Sequence, residues 1–350
     1  MDSKNSETSD AQGRDALPTT ASPSNFREQL RAHSRRIMPW LSLASGVVGA
    51  VWMERTSRRA GLVVVAASAT WILLALTFLV SSLPTERLPE RLRAWIKPLR
   101  ASMAMFAQGA MQLCLFFVAP FFAYAADVES IHLSFLLALF AVGLVLIWDP
   151  FYYRAVTRPS LATLLCAFVG FATLDCVLPM LGVSNRMSLL ASGAVAIAGT
   201  PILVVASRNQ GSRLRSALRG FTLALAGAAA LWLAAPCIPP APLRLTSAAL
   251  GTTIEERELL DPTREFTDVP EQLVCATAIA APRGLHDELL HVWQRDGERV
   301  DAIPLTVTGG RERGYRTWSS KKNIGPGMWR CQVETQLGQS LGSVEARIGR

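Results

Sequence analysis

The chain has 350 residues, half of them hydrophobic, and a formal net charge of +8. Such a length accommodates about two or three domains. The basic excess lies in the N-terminal segment and in the links between apolar stretches, while acids and bases nearly cancel from Ala241 onward; this argues against a nucleic-acid footprint and for charges that orient membrane helices.

Residues 1–36 read as a disordered, basic cytoplasmic terminus. Met1 to Ser24 is rich in Ser, Thr, Asp and Pro and lacks the apolar core of a cleaved signal. Arg27, Arg31, Arg35 and Arg36 follow. They read as a solvated flank, with a short interfacial helix on anionic lipid as the alternative.

Residues 37–235 form the membrane region. A bilayer core of about 30 Å needs about 20 apolar residues in a helix. Seven segments approach this: Ile37 to Met53, Ala60 to Leu83, Ala101 to Ala126, Ile131 to Trp148, Ser160 to Leu181, Met187 to Ala206 and Ala217 to Ala235. Backbone polar groups in lipid must be satisfied within the segment, so helices are expected. Arginine and lysine cluster on alternate flanks. Arg87 to Arg100, Arg154 with Arg158, and Arg208 to Arg219 fall on the side of the N-terminus, whereas the opposite side holds Arg55, Arg58, Arg59 and Arg186. The first set is expected to be cytoplasmic, which puts the C-terminus outside.

Three polar side chains inside these spans are the functional suspects. Gln108 and Gln112 share a helix face, and Asp175 lies toward the outer end of the fifth span. One reading is a proton or ion site around Asp175 with the glutamines. The preferred one is a carboxylate near the interface and glutamines bonding across a helix pair.

Residues 236–271, opening with Pro236-Cys237-Ile238-Pro239-Pro240, read as a linker and lead-in. Residues 272–350 read as strands. Trp329, Cys331 and Val333 alternate with polar residues, as do Val344, Ala346 and Ile348, and Ile303, Leu305 and Val307. About six or seven strands punctuated by glycine turns suggest an all-β sandwich of immunoglobulin-like type. Cys275 and Cys331 lie on two of the strands. They read either as a disulfide between sheets on the oxidising side or as two buried thiols. The remaining cysteines are Cys114, Cys166, Cys176 and Cys237, and no CxxC pair is present.

Specific residues carry a resemblance. Val274-Cys275-Ala276-Thr277, His291-Val292-Trp293 with Gly297, and Ile303-Pro304-Leu305-Thr306-Val307 come first. Tyr315-Arg316-Thr317-Trp318-Ser319-Ser320-Lys321, Gly327-Met328-Trp329-Arg330, Gly338 and Leu341 complete it. Together they resemble domain-of-unknown-function family 2914 over 273–348, with Arg257 to Thr267 as a lead-in. Cys331 stands where that pattern has valine, and Gly309 to Gly314 is longer than usual, so the resemblance does not imply the disulfide. The membrane part is similar to another uncharacterised family found ahead of this domain. The resemblance implies a bacterial, membrane-attached architecture and carries no activity.

The candidate binding set is His291, Trp293, Arg316, Trp318, Lys321 and Trp329. Exposed, it suits a carbohydrate or an anionic polymer through stacking and cation–π contact. Buried, the tryptophans fill the gap between sheets, which is the preferred reading. Phosphate-binding loops and HExxH are absent from the sequence, and His286 and His291 lack a third metal ligand. No catalytic residue, metal or cofactor is therefore expected. The expected role is a membrane-anchored extracytoplasmic binding or structural module in the bacterial inner membrane. Its expected partners are the lipid bilayer and an envelope polymer or membrane protein. The alternative is a transporter or channel with an accessory β domain and Asp175 as its intramembrane polar site.

Overall fold

The computed structural model describes residues 72 and 76, 89–206 apart from 128, and 213–349 apart from 257 and 312. Six helices are described in chain order: α1 (Glu90–Ala125), α2 (His132–Ile147), α3 (Asp149–Val156), α4 (Pro159–Met180), α5 (Asn185–Ala206) and α6 (Arg213–Ala234). Their breaks follow local chemistry. Asp149-Pro150 and Pro159 open α3 and α4, where a missing N–H costs nothing. Gly182, at φ +91°, ends the turn after α4. Ser184 Oγ then accepts the N–H of Met187 at 3.4 Å as α5 begins.

Seven spans were expected, and the described residues support fewer. Ser102–Ala125 and Ser160–Met180 are long and apolar enough to cross a membrane. A third exists if His132–Ile147 and Pro150–Val156, which meet at 99°, count as one span. Of α5 and α6, the described residues contribute only a shorter apolar helix, Leu225–Cys237. The expected spans at 37–53 and 60–83 lie outside the described residues, apart from helical Ile72 and Leu76.

The helices pack through Met111, Leu115, Val118, Phe122, Phe135, Leu139, Cys166, Val169 and Val177, all buried. Tilted ring pairs Phe122–Phe135 and Phe135–Phe168 join α1, α2 and α4.

The C-terminal part is β-rich. Its strands are β1 (Arg244–Gly251), β2 (Ile254–Glu255), β3 (Glu258–Leu259), β4 (Glu265–Phe266), β5 (Gln272–Ala280), β6 (His286–Arg295), β7 (Glu298–Thr308), β8 (Tyr315–Lys322), β9 (Gly327–Thr335) and β10 (Ser340–Ile348). One sheet has the order β1-β5-β8 and the other β4-β10-β9-β6-β7. Every pairing in both is antiparallel except β4 with β10. Asp296-Gly297, both at positive φ, turn β6 into β7; an Asp-Gly pair with two positive φ values matches the twist of a tight hairpin.

Alternation sends Trp329, Cys331 and Val333 of β9 and Val344, Ala346 and Ile348 of β10 inward. There they meet Leu250 of β1 and Leu273 and Cys275 of β5. A second cluster holds Leu243, Ile279, Leu289, Val307, Val333 and Leu341. The β domain thus begins inside the stretch read as a linker. From Arg244 opposite Ala280 to Gly251 opposite Val274, β1 pairs along β5. Its Thr, Ser and Ala residues blur the alternation that marks the later strands.

Candidate functional site

The sequence singled out six residues as a binding set, and the sheets divide them. His291 and Trp293 face inward from β6 with 0% exposure, and Trp329 faces inward from β9 with 1%. Trp293 and Trp329 meet edge to face at 6.3 Å, and their indole N–H groups donate to Ser319 Oγ at 3.1 Å and to Gly325 O at 2.8 Å. On β8 successive side chains alternate in direction. Thr317 and Ser319 are buried, while Arg316, Trp318 and Ser320 are exposed on the opposite face. Arg316 pairs with Glu258 of the β2–β3 hairpin. Lys321 reaches across the seam between the sheets to Asp301 of β7 at 2.6 Å. No single surface therefore carries all six. The core reading describes the buried three, and only Arg316 and Trp318 share an outer face.

Between the sheets lies a polar seam that sequence reasoning did not assemble. His291 Nδ1 is 2.8 Å from Ser319 Oγ, and its Nε2 is 3.0 Å from Thr277 Oγ1. One order of donors satisfies every group. Trp293 N–H donates to Ser319 Oγ, whose hydroxyl donates to His291 Nδ1; His291 Nε2–H then donates to Thr277 Oγ1, which donates to the carbonyl of Thr317 at 3.5 Å. A fully connected buried network ties two faces together in one register. Burial lowers the His291 pKa from 6.5 to about 4, so the imidazole is neutral.

Next to it, Cys275 of β5 and Cys331 of β9 form a disulfide joining the two sheets. Their sulfurs and a ring nitrogen of His291 lie within 4.8 Å of one another. With the sulfurs bonded to each other, neither is a thiolate, which is the form that binds a metal.

The intramembrane candidates are likewise separated. Gln108 and Gln112 of α1 both donate to the carbonyl of Leu146, at 2.9 and 2.6 Å, in the last turn of α2. Asp175 of α4 is fully buried, and neither of its carboxylate oxygens accepts a hydrogen bond among the described residues. Its neighbour is Ser188 of α5, which donates to the Asp175 backbone carbonyl at 2.9 Å. The glutamines brace the α1–α2 pair and do not join Asp175.

A second polar assembly, unforeseen from the sequence, joins the helices to the β domain. Asp287 of β6 accepts the N–H of Asn185 at 2.7 Å and so caps α5. Burial pushes its carboxyl up, against the Asn185 and Glu288 N–H bonds that hold it down. Asn185 Nδ2 donates to Gln339 Oε1 at 2.6 Å, and Gln339 Nε2 donates to the carbonyl of Ile238, just past α6, at 2.9 Å. Ser340 Oγ donates to Asp127, after α1, at 2.5 Å. Gly182 abuts the carbonyl of Gly284, where a β-carbon would come within 3.2 Å. The ends of α1, α4 and α6 and the start of α5 thus converge on one face of the β domain. Asp287 did carry a signal: it shares the inward phase of Leu289, His291 and Trp293, where an acid needs a dedicated partner.

These elements define a class: a helical bundle with a two-sheet β domain docked on the ends of its helices. The chain belongs to a family of unknown function, DUF5924, whose model matches residues 20–278. The model of a protein of unknown function, DUF2914, matches residues 286–348, which agrees with the resemblance and starts at β6. No curated protein matches the chain. The border between the two matches falls between β5 and β6, inside the β domain. Strands β1 and β5 lie in the first match and β6 to β10 in the second, and the disulfide crosses from one to the other.

Proposed function

We propose that this is a multi-pass protein of the bacterial inner membrane, with an immunoglobulin-type β domain held outside the cytoplasm as a binding or structural module. The observation that carries the reading is the apolar exterior of the helices. Phe106, Leu137, Phe140, Leu164, Phe221 and Trp232 are each 59–66% exposed. So large an apolar surface is a liability in water and is solvated in lipid.

Three further features support it. The helix ends that meet the β domain carry Arg186 with the acids Asp127 and Glu129, whereas Arg154, Arg158, Arg213, Arg215 and Arg219 lie toward the other ends. That asymmetry favours a cytoplasmic side opposite the β domain. The strand order, a disulfide between β5 and β9, and a buried tryptophan on β6 beside it match the immunoglobulin pattern. The oxidised pair also suits an extracytoplasmic compartment. On the outer face of the β1-β5-β8 sheet, Trp318 stands opposite Ala276 with 40% exposure, beside Arg316. A flat ring beside small residues and a cation suits an envelope polymer or a partner protein.

Flotation with vesicles and protease protection test the first half of the proposal: the chain is expected to float, and a tag after Arg350 is expected to be cut by protease added outside the inner membrane. Co-purification from intact membranes, with Trp318→Ala as the comparison, tests the second. A chain that stays soluble without detergent, or a protected C-terminal tag, overturns the reading. The buried carboxylate of Asp175 favours one alternative, a transporter with the β domain as its accessory. Under that reading, Asp175→Asn abolishes flux into reconstituted vesicles; under the main reading it leaves co-purification unchanged.

A further inference from the structure

Where the helices meet the β domain there is an open cavity of about 890 Å³. Its walls are apolar side chains of α5 and α6, among them Leu190, Ile197, Ala228 and Leu231. Its roof belongs to the β domain: Leu290 of β6, and Leu337 at the tip of the β9–β10 hairpin. Leu290 sits on the outward phase of β6, where His286 and Glu288 are exposed. An apolar residue there, and another at a hairpin tip, are out of place facing water. The size falls in the range of small-molecule sites, about 300–1,000 Å³.

One cation stands at the cavity, Arg186 in the first turn of α5. Its guanidinium donates to Gln336 Oε1 at 3.1 Å, and among the described residues it forms no ion pair with a carboxylate. Its side chain is exposed, and among the described residues several of its N–H donors have no acceptor. Its position is unusual for a second reason. On the charge-rule reading it lies on the side from which arginine is depleted. An arginine kept there, beside an apolar cavity and away from acids, has the chemistry of a phosphate contact.

We infer that this cavity is a binding site for an anionic phospholipid of the outer leaflet, with an acyl chain between α5 and α6 and the headgroup phosphate on Arg186. The site rests on the membrane reading above and adds a ligand to it. The lipid fills a gap under the β domain that neither helix closes, so it acts as part of the joint. A second helix would fill the apolar walls equally well but would leave the guanidinium unmatched. That charge complementarity selects the anionic lipid.

The test uses the full chain reconstituted in vesicles of equal parts phosphatidylglycerol and phosphatidylcholine, checked by flotation, then released into detergent and weighed intact by native mass spectrometry. The wild type is expected to retain phosphatidylglycerol over phosphatidylcholine by about tenfold, a difference that a single charged contact supplies. Arg186→Gln is expected to retain lipid without that preference. Ala194→Trp, which fills the cavity, is expected to lose both lipids, and Arg154→Gln, on the opposite side, to behave as wild type. Excess inorganic phosphate is expected to leave the bound lipid in place.

A wild type that floats but retains no lipid, or equal retention of the two lipids, overturns the site and leaves the membrane reading intact. An unchanged preference in Arg186→Gln does the same, as does a lipid-free dimer closed over the cavity. Failure to float overturns both.

Discussion

His291 gives the β domain a defined response to acid. Its folded pKa of about 4 lies below the ordinary 6.5. Between those values the unfolded chain takes up a proton that the folded one refuses. The contribution of His291 is therefore complete above pH 6.5 and is lost as pH falls toward 4, by about 3 kcal/mol. Asp287 and Glu334, whose carboxyls burial pushes up, act in the opposite sense and offset part of the loss. The difference between wild type and His291→Gln isolates the histidine: in denaturant titrations, the variant is expected to show a flatter fall in stability between pH 7 and 4. Parallel curves would mean that the imidazole reaches water or a counter-charge. In the sequence His291 was legible as an inward residue, because Leu289 and Trp293 share its phase. Its partners were not, since Thr277 and Ser319 come from strands 14 and 28 residues away.

The β9–β10 hairpin is the element that couples the two halves. Gln339 serves three partners at once: Asn185 Nδ2, Thr335 Oγ1 and the carbonyl of Ile238. Gln339→Leu strands two of these groups in a buried place, at a cost of about 1–3 kcal/mol each. The expected outcome is a full chain in detergent that unfolds earlier and is cut by protease between Ile238 and Leu243, while the disulfide stays formed. Unchanged proteolysis would show that apolar contacts hold the joint alone. Loops and turns hid this element from the sequence. Gly338 reads there only as a turn, and nothing local says that Gln339, just after it, is buried against Ile238.

At the level of the whole molecule, the β domain forms one structural unit across the border of two family matches. Strands β6 to β10 supply one sheet apart from its edge strand β4, and a single strand, β8, of the other. A fragment from His286 to Arg350 lacks β1, β5 and Cys275. It is expected to stay unfolded, whereas Ala241 to Arg350 is expected to fold as a disulfide-closed monomer; circular dichroism and denaturant titration distinguish the two. In the longer fragment, replacing Cys275 with Ala and Cys331 with Val removes a link across 56 residues and is expected to cost about 4 kcal/mol of stability by loop closure. Independent folding of the short fragment would mean that the first sheet is dispensable.

Patterns of short period were readable from the chain alone. Long apolar runs marked α1, α2 and α4, alternation marked β9 and β10, and loop arginines separated one set of helix ends from the other. Each depends on neighbours within a few residues, where side-chain direction follows from backbone geometry. The tertiary structure alone decided that β1 joins the first sheet, that the two cysteines meet, that Gln108 and Gln112 serve Leu146 and not Asp175, and that Arg186 stands beside an apolar cavity. Those outcomes depend on which distant surfaces come together, and contacts across tens or hundreds of residues leave no periodic trace in a single sequence.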